Sequence, residues 1–493
     1  AGAWYTYRLA LSIYGRPVAQ LATLIYVSAA HLVISNNDVR AEPYLTGLVI
    51  GSVFHFYKVS RSTLSGKWFS GNPAVFRELA AHLVAGSFMA ACAIMTKGPF
   101  VLITISSGLV LDWILGKQWG QFRNLRWWIA LLLITLFITP ELYCLYIQFD
   151  LHPEKVVFGH TGVSGIRFFF WDSQFGRFFN TGPIKGSGDP FFYFHTLLWA
   201  FLPWSLLLYA AVIQKSRKNN CDTVRGDAIC LGSATASFLV FSLSRFQLPH
   251  YLNILFPFFS ILTAGYLYQL RRKKVQNIVA LIQQGITILL PLLLLFLCWF
   301  FHFNGWIYIA AGIAALSILS FRVYQGNDLP VVMAKNFWAA LLAFAFVNFC
   351  LYPAILRYQA GTAAGDSLRS VKSLSPVETT TGSRASAGSG KGSQALAASH
   401  TVYMLQEAPA NYSFEFYSPL PVQRLPFDSL PRSETMVFLP SAFTDTLRQK
   451  GFRIEEIHSF PNFHISQLTG EFLNYKTRPA TLEKYSLVRV TGL

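Results

Sequence analysis

The chain has 493 residues, of which 53% are hydrophobic, 16% aromatic and 13% charged, whereas soluble domains carry about 25% charged residues. A soluble enzyme is excluded, and the expected class is an all-α polytopic membrane protein with one polar appendage. The net charge of +17 would point to nucleic acid in a soluble protein. Here the cations sit between apolar runs, so membrane lipids are their partners and no nucleic acid is expected.

The chain opens Ala-Gly-Ala-Trp, without Met and without a signal segment. Residues 4–16 read as the approach to a membrane helix, so the natural N-terminus is expected upstream. Eleven apolar runs follow, at 17–34, 43–57, 79–96, 99–116, 127–147, 195–213, 228–245, 250–270, 277–300, 306–320 and 336–356. Several approach the roughly 20 residues that a helix needs to cross the hydrocarbon.

Basic residues collect in every second gap. They are Arg8 and Arg16, then Lys58, Arg61, Lys67 and Arg77, then Lys117, Arg123 and Arg126. Lys215, Arg217, Lys218 and Arg225 come next, then Arg271, Arg272, Lys273 and Lys274, and last Arg322 and Lys335. The positive-inside rule places these in the cytoplasm and turns 35–42, 97–98, 148–194, 246–249, 301–305 and the tail outward.

Residues 1–357 are thus expected to form the membrane domain. Residues 358–400 are rich in Gly, Ser, Ala and Thr and read as a flexible linker. Residues 401–493 regain strand patterns at 401–405, 436–439 and 485–490, with a helical stretch at 441–450. A small extracytoplasmic α/β domain is expected there. Cys92, Cys144, Cys221, Cys230, Cys298 and Cys350 show no metal or disulfide spacing and are expected to be packing residues or spectators.

The outward gaps hold the candidate chemistry. Asp38, Arg40 and Glu42 fall between the first two runs. Asp38 has an equal claim as a helix cap. Glu42 is the candidate base, because an ionisable group facing a bundle interior is costly to keep. Lys97 tips the turn Thr96-Lys97-Gly98-Pro99, where a lone outward cation suits a phosphate. The gap 148–194 mixes His152, Glu154, His160, Arg167, Asp172, Arg177, Lys185, Asp189 and His195 with aromatic runs that include Trp171. That composition suits a segment lying in the headgroup plane, or a wall for a sugar or lipid. Its histidines show no ligand spacing, so no metal is assigned, although the reading leaves room for a divalent ion. Arg245 and His250 flank a Pro turn beside Tyr251 and form a second candidate phosphate site.

Four stretches together resemble a known group. They are 39–45 (Val-Arg-Ala-Glu-Pro-Tyr-Leu), 95–99 (Met-Thr-Lys-Gly-Pro), 168–178 with the Leu-Pro-Trp-Ser of 202–205, and 242–251 (Ser-Leu-Ser-Arg-Phe-Gln-Leu-Pro-His-Tyr). The chain resembles the GT-C fold glycosyltransferases of the dolichyl-phosphate-mannose:protein mannosyltransferase-like family, in particular the bacterial 4-amino-4-deoxy-L-arabinose transferase branch. The resemblance covers residues 1–357 well and the tail in outline.

It implies transfer of a sugar, aminoarabinose or a hexose, from a polyprenyl-phosphate donor to a lipid A, glycan or protein acceptor. The place would be the periplasmic face of a bacterial inner membrane, with the C-terminal domain periplasmic. Lys97 matches the family's Lys-Gly turn for the carrier phosphate. Glu42 falls where the family has an acid after its Arg. Arg245 and His250 match its late Pro-turn motif. Residues and resemblance taken together, the expected site is Glu42 and Asp38 for catalysis and Lys97, Arg245, His250 and Arg40 for the phosphate, with Arg177, Tyr251 and Trp171 in the groove. The family's main acid lies in a first outward loop that this chain is expected to lack, with its preceding helix.

A transporter or flippase of lipid-linked sugars would bind the same anion without chemistry. It should carry midplane charges and repeat symmetry, and neither is seen in the sequence. A scaffold that presents the outward domain leaves Lys97, Arg245 and the aromatic loop unexplained.

Overall fold

A computed structural model describes residues 1–38, 40–64, 72–217, 227–373 and 401–492. Lys67, Lys218, Cys221, Arg225 and residues 374–400 of the expected linker lie outside them. The chain divides into two compact units. One is Ala1–Leu290 with Ile318–Phe344, and the other is Pro291–Ser317 with Ala345–Leu493.

Every apolar run contains helix, but the expected eleven crossings are not all established. Six helices are long and apolar enough to span a bilayer, or seven if Arg16–Val27 and Ala30–Asn36 form one span bent by 57°. Val101–Leu115, Ser205–Lys215 and Asp227–Leu243 are apolar but shorter. The bend has a local cause. Ala30 N–H donates to the Leu202 carbonyl at 3.0 Å instead of to its own helix. The Ser28 hydroxyl accepts the Trp204 indole N–H at 2.9 Å, which ties the break to a neighbour. The run 195–213 is also interrupted, between Phe192–Ala200 and Ser205–Arg217, since Pro203 cannot donate within a continuing helix.

The first unit owes its site to one antiparallel pair, Glu42–Leu64 and Pro73–Lys97. Asn72 caps the second helix by accepting from Ala74 N–H at 2.9 Å, and Pro73 suits its first turn. Gly98 ends it at φ 90°, a conformation that glycine adopts at no steric cost. The helices touch closely at Gly86, where the Ser52 hydroxyl donates to its carbonyl at 2.9 Å. Small residues let helix backbones approach in this way. Val101–Leu115 packs on Asp227–Leu243 by the same means. A Cβ on Gly108 would stand 2.2 Å from the Ile229 carbonyl oxygen, and Thr104 and Ser237 share a 2.7 Å hydroxyl contact. The antiparallel pairing sets the start of one helix, Glu42, beside the end of the other, Lys97. Arg61 and Asp112 pair at 3.0 Å near the opposite helix ends.

The second unit holds a five-stranded mixed sheet. Its strands are β1 (Val402–Leu405), β2 (Val422–Leu425), β3 (Thr435–Pro440), β4 (Phe452–Asn462) and β5 (Glu483–Gly492), in the order β2-β1-β3-β5-β4. β1 runs parallel to β2 and β3, and β5 runs antiparallel to β3 and β4. Alternation supplies two cores. Met404, Phe438 and Leu487 face one side, and Leu405, Val437 and Val488 face the other. The expected linker is corrected at its start, because Ala360–Ser373 is a helix. Its Ala360, Ala364 and Leu368 recur every four residues and bury against Val402 and Phe414, a stripe that the Gly/Ser background hides. Arg478 joins this unit's parts by donating to the Phe472 carbonyl at 2.9 Å and to the Phe301 carbonyl at 2.7 Å.

Candidate active site

A cavity of about 380 Å³ opens in the first unit where the Glu42 and Lys97 helix ends meet. Leu45, Met95, Phe100, Val101, Phe169, Phe178, Val240, Phe241, Phe246 and Ile254 give it an apolar wall. Its ionisable lining is Glu42, Lys97, Arg177 and Tyr251. Two cations therefore face one carboxylate, and the surplus charge is positive.

Glu42 is only 2% exposed. Its Oε1 receives Lys97 Nζ at 2.5 Å and lies 3.5 Å from His250 Nε2. A buried carboxylate needs such partners, since an unpaired buried charge costs several kcal/mol. Lys97 also stands 4.6 Å above the Tyr251 ring, a cation–π contact. Behind them, Arg40 Nη1 contacts His250 Nδ1 at 2.6 Å, and Arg40 Nε pairs with Asp38. Five predicted residues thus form one chain of contacts, Asp38 to Arg40 to His250 to Glu42 to Lys97. Arg40 and His250 stand behind the carboxylate, not in the cavity wall.

Arg177 differs from Lys97. Its guanidinium lies 5.6 Å over the Phe246 ring. Its Nε is buried with no hydrogen-bond partner among the described residues. The guanidinium also shares a hydrogen bond with Tyr251, and as a cation in the cavity wall it can pair with an anion.

Two further predicted residues lie outside both the lining and that chain of contacts. Arg245 is exposed, and its backbone N–H donates to the Phe178 carbonyl at 3.1 Å. Its neighbours Ser244 and Phe246 line the cavity instead. Trp171 is exposed, with its ring 4.6 Å from Phe175.

His152 pairs with Glu154 at 2.9 Å, and Glu154's own backbone N–H, together with that hydrogen bond, keeps the exposed carboxyl below its ordinary pKa. His195 stands 3.7 Å from Asp189. Among the described residues no group of three or more His, Cys, Asp or Glu side chains could hold a metal ion.

Sequence reasoning missed Gln174 and the pair His31–Asn253. Gln174 Nε2 donates to the Lys97 carbonyl at 3.2 Å and steadies the turn. A Cβ on Gly98 would stand 2.0 Å from that amide nitrogen. His31 Nδ1 meets Asn253 Oδ1 at 2.9 Å beneath the cluster. Gln174 lay within a quoted stretch, but its partner is 77 positions away. His31 sat unmarked inside an apolar run.

No protein-family profile matches the chain, and no curated protein is similar to it in sequence. Two solved structures are similar in fold. One is ArnT from Cupriavidus metallidurans bound to undecaprenyl phosphate, at 16% identity and TM-score 0.66, over 99% of this chain and 81% of that one. The other is the same protein in the apo state, at 15% identity and TM-score 0.64, with the same coverage. The likeness establishes that the chain has an ArnT-like GT-C membrane fold with a small C-terminal sheet.

Proposed function

We propose that the chain is a glycosyltransferase that moves a sugar from a polyprenyl-phosphate carrier to an acceptor hydroxyl or amine. The observation that carries this reading is one apolar cavity holding a buried carboxylate, Glu42, together with Lys97 and Arg177. An isoprenoid phosphate needs that combination of apolar wall and cations. The fold shared with a protein crystallised with undecaprenyl phosphate supports the carrier class.

In the proposed step Glu42 takes the proton of the acceptor O–H or N–H. The acceptor atom bonds to the sugar's anomeric carbon, and the bond from that carbon to the phosphate oxygen breaks. Its electron pair leaves on the polyprenyl phosphate. Lys97 and Arg177, fixed in a mostly apolar wall, stabilise the growing negative charge. The donor sugar, aminoarabinose or a hexose, and a lipid A, glycan or protein acceptor belong to this proposal, as does the periplasmic face of a bacterial inner membrane. A flippase of lipid-linked sugars is disfavoured, because the cavity's charges come from helix ends and not from midspan.

The test is undecaprenyl phosphate binding by the full chain in nanodiscs, followed by turnover with a panel of polyprenyl-phosphate sugars. Binding that weakens at least tenfold in Lys97→Ala, about 1.4 kcal/mol, together with sugar release, supports the reading. Binding without release from any donor would favour the flippase, and absence of binding would end both.

A further inference from the structure

We propose that Gln174 is a specificity-determining residue, whose amide oxygen Oε1 accepts a hydrogen bond from an O–H or N–H group of the donor sugar. This rests on the reading of the cavity as the seat of a polyprenyl-phosphate sugar.

Gln174 is half-buried and lines the cavity, and two neighbours decide which way its amide faces. Nε2 lies 3.2 Å from the Lys97 carbonyl oxygen and 3.0 Å from the Ser173 hydroxyl. A carbonyl oxygen only accepts, so the amide atom facing Lys97 is the one that carries hydrogen. The Ser173 hydroxyl has one hydrogen and gives it to the Phe169 carbonyl at 3.1 Å, so toward Gln174 it accepts as well. With the amide turned over, Oε1 would stand against the Lys97 carbonyl, acceptor against acceptor. The close approach at Gly98 agrees. A Cβ there would stand 2.0 Å from Nε2 and 2.9 Å from Oε1, so the nitrogen is turned toward the lysine turn and the oxygen away from it.

Both hydrogens of Nε2 are thereby used, while Oε1 takes no hydrogen bond among the described residues. The other neutral polar side chains of the lining are engaged with backbone. The Thr96 hydroxyl donates to the Cys92 carbonyl at 2.7 Å. The Ser244 hydroxyl donates to the Phe246 carbonyl at 3.1 Å and accepts the Phe246 N–H at 3.3 Å. Oε1 is therefore a fixed acceptor with its lone pairs unspent, in a wall that is mostly apolar.

Chemistry selects its ligand. An amide oxygen repels a phosphate, which at neutral pH offers acceptors, and attracts a hydroxyl or an amine. Its position ties it to the phosphate site all the same. Lys97 holds Gln174 through its backbone carbonyl and carries the cation on its side chain. The Phe178 N–H donates to the Gln174 carbonyl at 3.0 Å, which starts the short helix Phe175–Phe179 that carries Arg177. A sugar joined to a phosphate between Lys97 and Arg177 thus lies beside an acceptor held by the same two segments. The cations read the carrier, and the amide reads what the carrier brings.

The experiment measures binding to the full chain in nanodiscs at about pH 8, well above the second phosphate pKa of about 6. The probes are undecaprenyl phosphate, its aminoarabinose, glucose and mannose conjugates, and forms of each conjugate that lack one hydroxyl or the amine. In the unsubstituted protein, loss of one such group is expected to weaken binding about tenfold, near 1.4 kcal/mol. In Gln174→Met the same loss is expected to cost less than about twofold, and that non-additivity separates the contact from any effect on the turn. Gln174→Lys keeps a donor for the Lys97 carbonyl and lacks the acceptor, so it is expected to lose the same discrimination. Undecaprenyl phosphate itself is expected to bind Gln174→Met about as well as the unsubstituted chain. An equal cost of every deletion in both proteins overturns the proposal. So does a fall in undecaprenyl phosphate affinity with discrimination unchanged, which would leave Gln174 a brace for the turn. Absence of binding by the bare carrier and by every conjugate would overturn the carrier reading and this proposal with it, whereas binding without that coupling overturns this proposal alone.

Discussion

In the C-terminal unit Arg478 is 9% exposed and spends its whole fork. It donates to the carbonyls of Phe472, Phe301 and Leu473 and to the Tyr358 hydroxyl, and its guanidinium lies 3.8 Å over the Phe301 ring. In the first unit Arg177 also lies over an aromatic ring, but its buried Nε has no partner among the described residues. Arg478 is buried and consumed in closing a fold, whereas Arg177 is half-buried, shares a hydrogen bond with Tyr251 and keeps its Nε unspent. The difference teaches that burial alone does not mark a functional arginine. The unfilled donor beside a cavity does.

That contrast can be broken or sharpened in four ways. The largest effect is expected for Glu42→Gln, which should lower sugar transfer by about 10²–10⁴-fold, the span of a lost general base. Undecaprenyl phosphate affinity should not fall, because Lys97 loses its competitor. A fall would mean that Glu42 organises the phosphate site as a whole.

Next comes Arg177→Met, expected to weaken undecaprenyl phosphate about 10- to 100-fold, the worth of charged hydrogen bonds at roughly 1.5–3 kcal/mol. Its thermal midpoint should stay unchanged. A large drop in the midpoint would make Arg177 a second Arg478.

Arg478→Met should do the converse. It leaves the Phe301 and Phe472 carbonyls short of a donor, at about 1–3 kcal/mol per buried group. The readout is faster limited proteolysis of the C-terminal unit. Unchanged proteolysis would show that the clamp is dispensable.

The smallest effect is expected for Arg245→Ala, whose exposed side chain should alter affinity by less than about 1 kcal/mol, as exposed charges do. A tenfold loss would return Arg245 to the phosphate site.

The membrane class and the location of the cavity were legible because polar residues interrupt apolar runs. Glu42, Lys97, Arg177 and Tyr251 each follow or precede such an interruption, and helix ends bring them together. What the pattern could not carry was direction. Arg245 and Arg177 both lie beside aromatic residues, but only the folded loop decides that one lines the cavity and the other faces solvent. Nor could it show helix breaks caused by distant partners, such as the Leu202 carbonyl that takes the Ala30 N–H. Composition misled at 360–373, where three apolar positions on one face suffice to dock a helix rich in small residues. Gln174 shows the general limit, since its role is defined only by a backbone carbonyl 77 residues earlier.

The turn at Gly98 constrains how this chain could change. Its φ of 90° and the 2.0 Å approach of Gln174 Nε2 to a would-be Cβ are separate barriers. Gln174→Ala removes the second barrier and leaves the first. In a double-mutant cycle with Gly98→Ala, the coupling should therefore recover the steric share of the damage and never the conformational share. The end of the Gln174 side chain can swing aside, so the positive φ is what ties this turn to glycine, and a redesign of the pocket must keep glycine at 98 whatever stands at 174.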